Sequence, residues 1–257
     1  MCESVLMSSI YNNYSINNCY NVPSLNFRSN THSYIPTISH VQDGYTSNPM
    51  YENFGTKADI EAAAKTNPKI REILSKHNLS VKINEKELEK LKSGHLQSTR
   101  ITAAKIYSGL PTELKSQVDP KVLQEAAMFH DYGKILIPDN VLNKDGKLTE
   151  DEWKIMEEHS ELGAELLKNK NLDKRTIDLI KYHHQTPNKN GYPSISDEFE
   201  YGLDSEILSV ADKYEALREE RSYKPAMSKQ DALAIIAQDV KNGLVSQEVF
   251  DSLKKNA

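Results

Sequence analysis

The chain has 257 residues, 27% of them charged in both signs, for a formal net charge of −5 at pH 7. That balance suits one sizeable globular domain with an appendage, or two small ones, and offers no basic face for a DNA or RNA duplex. No apolar run approaches the roughly 20 residues that span a bilayer, and the opening "MCESVLMSSI" lacks the basic flank and apolar stretch of a signal peptide. Cys2 and Cys19 stand outside any metal-like spacing, so no disulfide framework is expected and the expected compartment is the cytoplasm.

Residues 1–55 read differently from the rest. "SIYNNYSINNCYNVPSLNFRSN" is rich in Asn, Ser and Tyr, with few charges and no helical or alternating apolar pattern. Such a segment has little surface to bury against its chain entropy, which predicts a disordered or loosely attached tail whose partner, if any, is unidentified. From Lys57 the pattern turns helical. "TKADIEAAAKTNPKIREILSKHN" predicts one or two short helices broken at Pro68. "NEKELEKLKSGHLQSTRITAAKIYSGL" follows, with Leu88, Leu91, His95, Ile101 and Ala104 near helical spacing and an end at Gly109-Leu110-Pro111. "DPKVLQEAAMFHDYGK" opens with Asp119 as N-cap and Pro120 at the first helical position. "TEDEWKIMEEHSELGAELLK" opens with a capping box from Thr149 to Glu152. Further helices are predicted at about 173–185, 204–220, 228–241 and 246–255. No segment alternates as a strand does. The expected fold is all-α, with eight or nine helices over 56–257.

The histidines share faces with the apolar residues. His159 lies on a stripe with Ile155, Leu162 and Leu166; His184 follows Ile177 and Ile180, and His183 follows Leu179. His130 and Asp131 end the apolar run "LQEAAMFHD", Asp212 sits within the apolar "EILSVADKYEAL", and His95 lies four residues after Leu91. Singly, an inward histidine is more often hydrogen-bonded into a core than bound to metal. Together, several imidazoles and two carboxylates facing inward are costly unless something satisfies them, and a divalent cation does so. Imidazole and carboxylate suit Zn, Mn or Fe, and the lack of nearby cysteine argues against a purely structural zinc site. His32, His40 and His77 carry no such pattern and are expected at the surface.

The order His95, His130-Asp131, Asp212 resembles the signature of HD-domain phosphohydrolases. The longer text "HDYGKILIPDNVLNKDGKLTEDEWKIMEEHSELGAELL", then "HHQTPNKNGYP", then "EILSVADKYEALREERSYKPAMSKQDAL", resembles the HD-GYP subfamily over residues 90 to 255. These are bacterial phosphodiesterases that hydrolyse cyclic dinucleotides, chiefly cyclic di-GMP. The resemblance implies an HD-domain-like helical bundle holding two divalent transition-metal ions, iron or manganese. His95, His130, Asp131 and Asp212 would hold one, His159, His183 and His184 the other, with Asp131 between them. It implies that Lys134, one helical turn after His130, approaches the scissile phosphate. Tyr192, in the Gly191-Tyr192-Pro193 rim, and Arg221 and Lys224 would contact the dinucleotide. A metal-bridging hydroxide would attack phosphorus and release a linear dinucleotide, with further cleavage to GMP left open. A homodimer is compatible with all of this.

Three positions depart from the family text, which reads HHE, two residues, DGxGYP. The Glu position is Gln185, the Asp position Asn188 and the next Gly position Lys189. The first two keep hydrogen-bonding capacity without charge, and Lys189 replaces a residue of special backbone freedom. Some members carry a Glu four residues before the first histidine as donor to a third metal; here that position is Leu91, so two ions are expected. Two alternatives stay open: another HD-type nucleotide phosphohydrolase, and a catalytically silent cyclic-dinucleotide receptor.

Overall fold

The computed structural model describes residues 56–92, 97–219 and 225–256. The expectations for the tail 1–55, for His32, His40 and His95, and for Arg221 and Lys224 lie outside the described residues. Within them every regular element is a helix, as expected.

The N-terminal helices are α1 (Lys57–Thr66) and α2 (Pro68–Lys76), which meet at Asn67 as the proline predicts. Thr56 and Asp59 cap α1 reciprocally, and the Asn67 side chain accepts from the amides of Lys69 and Ile70 to start α2. Next come α3 (Glu85–Lys92), α4 (Gln97–Gly109) and the single turn α5 (Thr112–Lys115). Helix α6 (Pro120–Phe129) is capped by Asp119, whose carboxylate accepts from Lys121 N at 2.8 Å, and carries proline at its first position, as predicted. A 3-10 turn over Tyr132–Leu136 and the short α7 (Asp139–Leu142) lead to α8 (Glu150–Glu157), which begins with the predicted box between Thr149 and Glu152. The single helix expected there divides at Glu158, and α9 (His159–Leu167) follows. The remaining helices are α10 (Lys174–Tyr182), α11 (Leu203–Arg218), α12 (Lys229–Lys241) and α13 (Gln247–Asn256).

Helix α6 is the centre of the bundle. Val122, Leu123, Ala126, Ala127, Met128 and Phe129 are all buried, and α4, α10 and α11 pack around it. Each large apolar side chain taken out of water there contributes about 1.5–3 kcal/mol. Polar cross-links then fix neighbouring helices. Arg175 of α10 grips Asp204 of α11 through Nε at 2.8 Å and Nη2 at 2.5 Å. Lys213 of α11 meets Asp239 of α12 at 2.6 Å, and Ser252 of α13 donates to the Ile106 carbonyl of α4 at 2.6 Å. Helix α9 packs on α10 and on the 3-10 turn. The ends of α6, α9 and α10 therefore gather beside α11. Among the described residues, no helix is long and apolar enough to cross a membrane.

Candidate metal centre

Helix ends supply the polar groups. His130 closes α6, Asp131 leads into the 3-10 turn, His159 opens α9, His183 and His184 follow α10, and Asp212 lies within α11. Three of the four imidazoles are oriented alike. His130 Nδ1 donates to the Ala127 carbonyl at 2.9 Å, His159 Nδ1 to Met156 at 2.7 Å and His183 Nδ1 to Ile180 at 2.8 Å. Each bond reaches back one turn and turns Nε2 into the cluster, which is how a metal-binding histidine is usually held; in His159 and His183 it also leaves Nε2 as the lone-pair nitrogen.

These Nε2 atoms converge. His159 Nε2 lies 3.3 Å from His183 Nε2 and 3.2 Å from His184 Nε2, and the three rings are buried. At imidazole–metal distances of about 2.1 Å, donors so spaced subtend about 100° at one ion, between octahedral and tetrahedral coordination. The residues fit a metal. Asp131 extends the set in two directions: its Oδ1 is 3.4 Å from His159 Nε2, and its Oδ2 is 3.3 Å from His130 Nε2. His130 Nε2 is in turn 3.4 Å from Asp212 Oδ1. Lys134 closes the group with Nζ 2.6 Å from Asp131 Oδ2. It does so from the 3-10 turn that follows His130 and Asp131.

The charges balance within the cluster. Burial works against ionising Asp131, but Lys134 and His130 outweigh it and hold its carboxyl well below the usual range. Burial likewise opposes the charge on His130, yet Asp131 and Asp212 prevail and carry it up to about 10. Lys134 stays an ammonium for the same reason. Two carboxylates thus face two cations. The other imidazoles are neutral, since burial pushes His159 down to about 3, His183 to about 4, and His184 well below its ordinary value. Neutral imidazole is the form that binds metal.

Two glycines let the backbones close around this cluster. A Cβ on Gly133 would overlap the His159 carbonyl, so only glycine allows the Asp131 turn to lie on α9. Gly133→Ala is expected to destabilise the fold by about 1–3 kcal/mol and to draw Asp131 away from His159. Urea unfolding and metal stoichiometry of the purified variant check both effects. A Cβ on Gly191 would likewise overlap the His184 carbonyl. That close approach, not a positive φ, is what the loop asks of Gly191; the left-handed residue is Lys189, at φ 61°. Tyr192 then stacks on His184, ring centroids 4.5 Å apart and planes 32° apart, with Trp153 edge-on behind it at 6.2 Å.

Two sequence readings change or sharpen. His77 is half-buried, not a surface residue, and its Nε2 lies 2.9 Å from Glu158 Oε1, at the break just before His159. Only the distance in sequence hid that pair. Leu91 is fully buried in apolar company, so its position offers no donor to a third ion.

A family model described as HD domain matches residues 71–248. A cyclic di-GMP phosphodiesterase response regulator, RpfG, of Xanthomonas campestris pv. campestris is 38% identical over 47% of this chain and 32% of its own length. A 3'3'-cGAMP-specific phosphodiesterase 3 of Vibrio cholerae is 33% identical over 54% of this chain and 30% of its own. The chain thus matches about a third of the length of these relatives. Among solved structures, a HDG"Y"P protein from Bdellovibrio bacteriovorus is 17% identical, covering 80% of this chain and 75% of that one at a TM-score of 0.48. With an HD-domain model running through the helices that bring His130, Asp131, His159, His183, His184 and Asp212 together, the chain belongs to the HD-domain family.

Proposed function

We propose that the chain is a metal-dependent phosphodiesterase that hydrolyses a cyclic dinucleotide, cyclic di-GMP before 3'3'-cGAMP. The observation that carries this reading is the carboxylate of Asp131, which turns one oxygen toward His159 and the other toward His130 and Lys134. A carboxylate so placed serves two adjacent donor sets. His159, His183, His184 and Asp131 would hold one ion; His130, Asp131, Asp212 and His95 would hold a second, with iron or manganese as the metals. When bound, such a pair supplies Lewis acidity toward phosphoryl oxygens and lowers the pKa of water.

The chain's own residues do the rest. Lys134 keeps its proton beside Asp131 and meets negative charge on the non-bridging oxygens of the phosphate. Tyr192, packed on His184, walls the site on the side of the loop. Arg221 and Lys224 would hold the second phosphate and a base. Hydrolysis adds water across one P–O3′ bond, so that the ring opens to a linear dinucleotide. The reading is supported by the relatives, a cyclic di-GMP phosphodiesterase and a 3'3'-cGAMP-specific phosphodiesterase.

The test is protein purified without oxygen, loaded with Fe(II) or Mn(II), and assayed against both cyclic dinucleotides and a panel of nucleoside monophosphates. The expected product is a linear dinucleotide. Tight binding of a cyclic dinucleotide without turnover would make the protein a receptor, and turnover of mononucleotides alone would make it another HD-type phosphohydrolase.

A further inference from the structure

We propose that Gln185 is a positioning residue: its amide clamps the Gly191–Pro193 segment so that Tyr192 is held on the ring of His184. Gln185 follows His184 directly and is fully buried. Its Nε2 donates to the Pro193 carbonyl at 2.5 Å, eight positions further along the chain. Its buried Oε1 has no hydrogen-bond partner among the described residues. Burying an amide with its acceptor unsatisfied is unfavourable, so the donation from Nε2 is what the side chain contributes. That bond and the contact of Gly191 with the His184 carbonyl fix the segment at both sides of Tyr192. Between them the ring of Tyr192 meets both Trp153, edge-on, and His184. A glutamate here, as in the family text, cannot make this bond as a carboxylate, since two acceptors would face each other. The loop of this chain is therefore held by a neutral amide.

The proposal rests on the functional reading only where substrate enters its test. Gln185→Met keeps the length and removes both polar atoms; Gln185→Glu keeps the shape and removes the donor when ionised, so it is measured at pH 8 and above. The chain has a single tryptophan, so acrylamide quenching of Trp153, which is 8% exposed, reports whether Tyr192 still covers it. In both full-length variants, well below their unfolding temperature, quenching is expected to rise about twofold, with metal content as in the unsubstituted protein. The KM for the cyclic dinucleotide is expected to rise about tenfold while kcat changes little, as loss of one orienting bond at the rim predicts. Unchanged quenching in both variants overturns the clamp. So does a lowered Tm with quenching and KM of the folded protein unchanged, because that is all a packing role would give. If the unsubstituted protein opens no cyclic dinucleotide, the functional proposal falls, and the quenching comparison still decides this one.

Discussion

Asp131→Ala is expected to strip metal from the purified protein and to lower cyclic dinucleotide hydrolysis by about a thousandfold or more. The Asp131 carboxylate reaches a histidine of each donor set: Oδ1 is 3.4 Å from His159 Nε2, while Oδ2 is 3.3 Å from His130 Nε2 and 2.6 Å from Lys134 Nζ. Its loss would take one ligand from each of the two proposed sets, and it removes the charge that faces Lys134. The metal-free variant is expected to be weaker as well, by about 3–5 kcal/mol, because Lys134 and His130 keep buried positive charge with one counter-ion fewer. Asp131→Asn separates charge from shape: it keeps one acceptor oxygen, so the loss of metal should persist while part of the stability returns. Metal analysis, turnover and urea unfolding of the three proteins form one experiment. Full metal and full turnover in Asp131→Ala, freed of contaminating enzymes, would end the two-set reading.

The sequence was readable wherever periodicity or a capping pattern carried the information. The N-cap at Asp119 and the box at Thr149 start helices where predicted, because side-chain caps act within one turn. The inward faces of His159, His183 and His184 follow from apolar spacing on their own helices, and the three rings meet. What was not readable depends on contacts between elements. Nothing local marks Gly133, yet a Cβ there would overlap the backbone of α9, 26 positions further on. Glu158 continues a helical pattern, and the break there coincides with His77, which approaches from α2. Gln185 reads as a conservative loss of charge, whereas its amide spans the loop to Pro193. Local rules placed the donors; packing decided how closely they approach.

The metal-free protein is expected to lose its fold between about pH 6 and 4. An unfolded histidine takes its proton near pH 6.5. In the folded chain His183 resists protonation down to about 4 and His159 down to about 3, and burial lowers His184 as well. Across that window the unfolded chain gains three protons that the folded chain refuses, so stability falls as pH falls. Each imidazole contributes up to about 1.4 kcal/mol per pH unit. Three of them over two units approach about 8 kcal/mol, against a total of about 5–15 kcal/mol for an ordinary domain. His130 does not offset this, since it is protonated in both states below 6.5; its stabilisation is lost as pH rises toward about 10. Glu157 and Glu215, whose carboxyls burial raises, act in the opposite sense just above the ordinary carboxylate range and take back part of the slope. Asp131 and Asp212, held low, add their own loss only below that range. Urea midpoints measured in chelator from pH 7.5 to 4.5 should therefore fall steeply, and His183→Asn should flatten the fall by about a third, one imidazole in three. Bound Mn(II) adds stability by mass action and should carry the acid limb to lower pH. A metal-free protein equally stable at pH 7 and pH 5 would mean that these imidazoles are not buried neutral in the folded chain, and the donor geometry drawn from them would fail with that result.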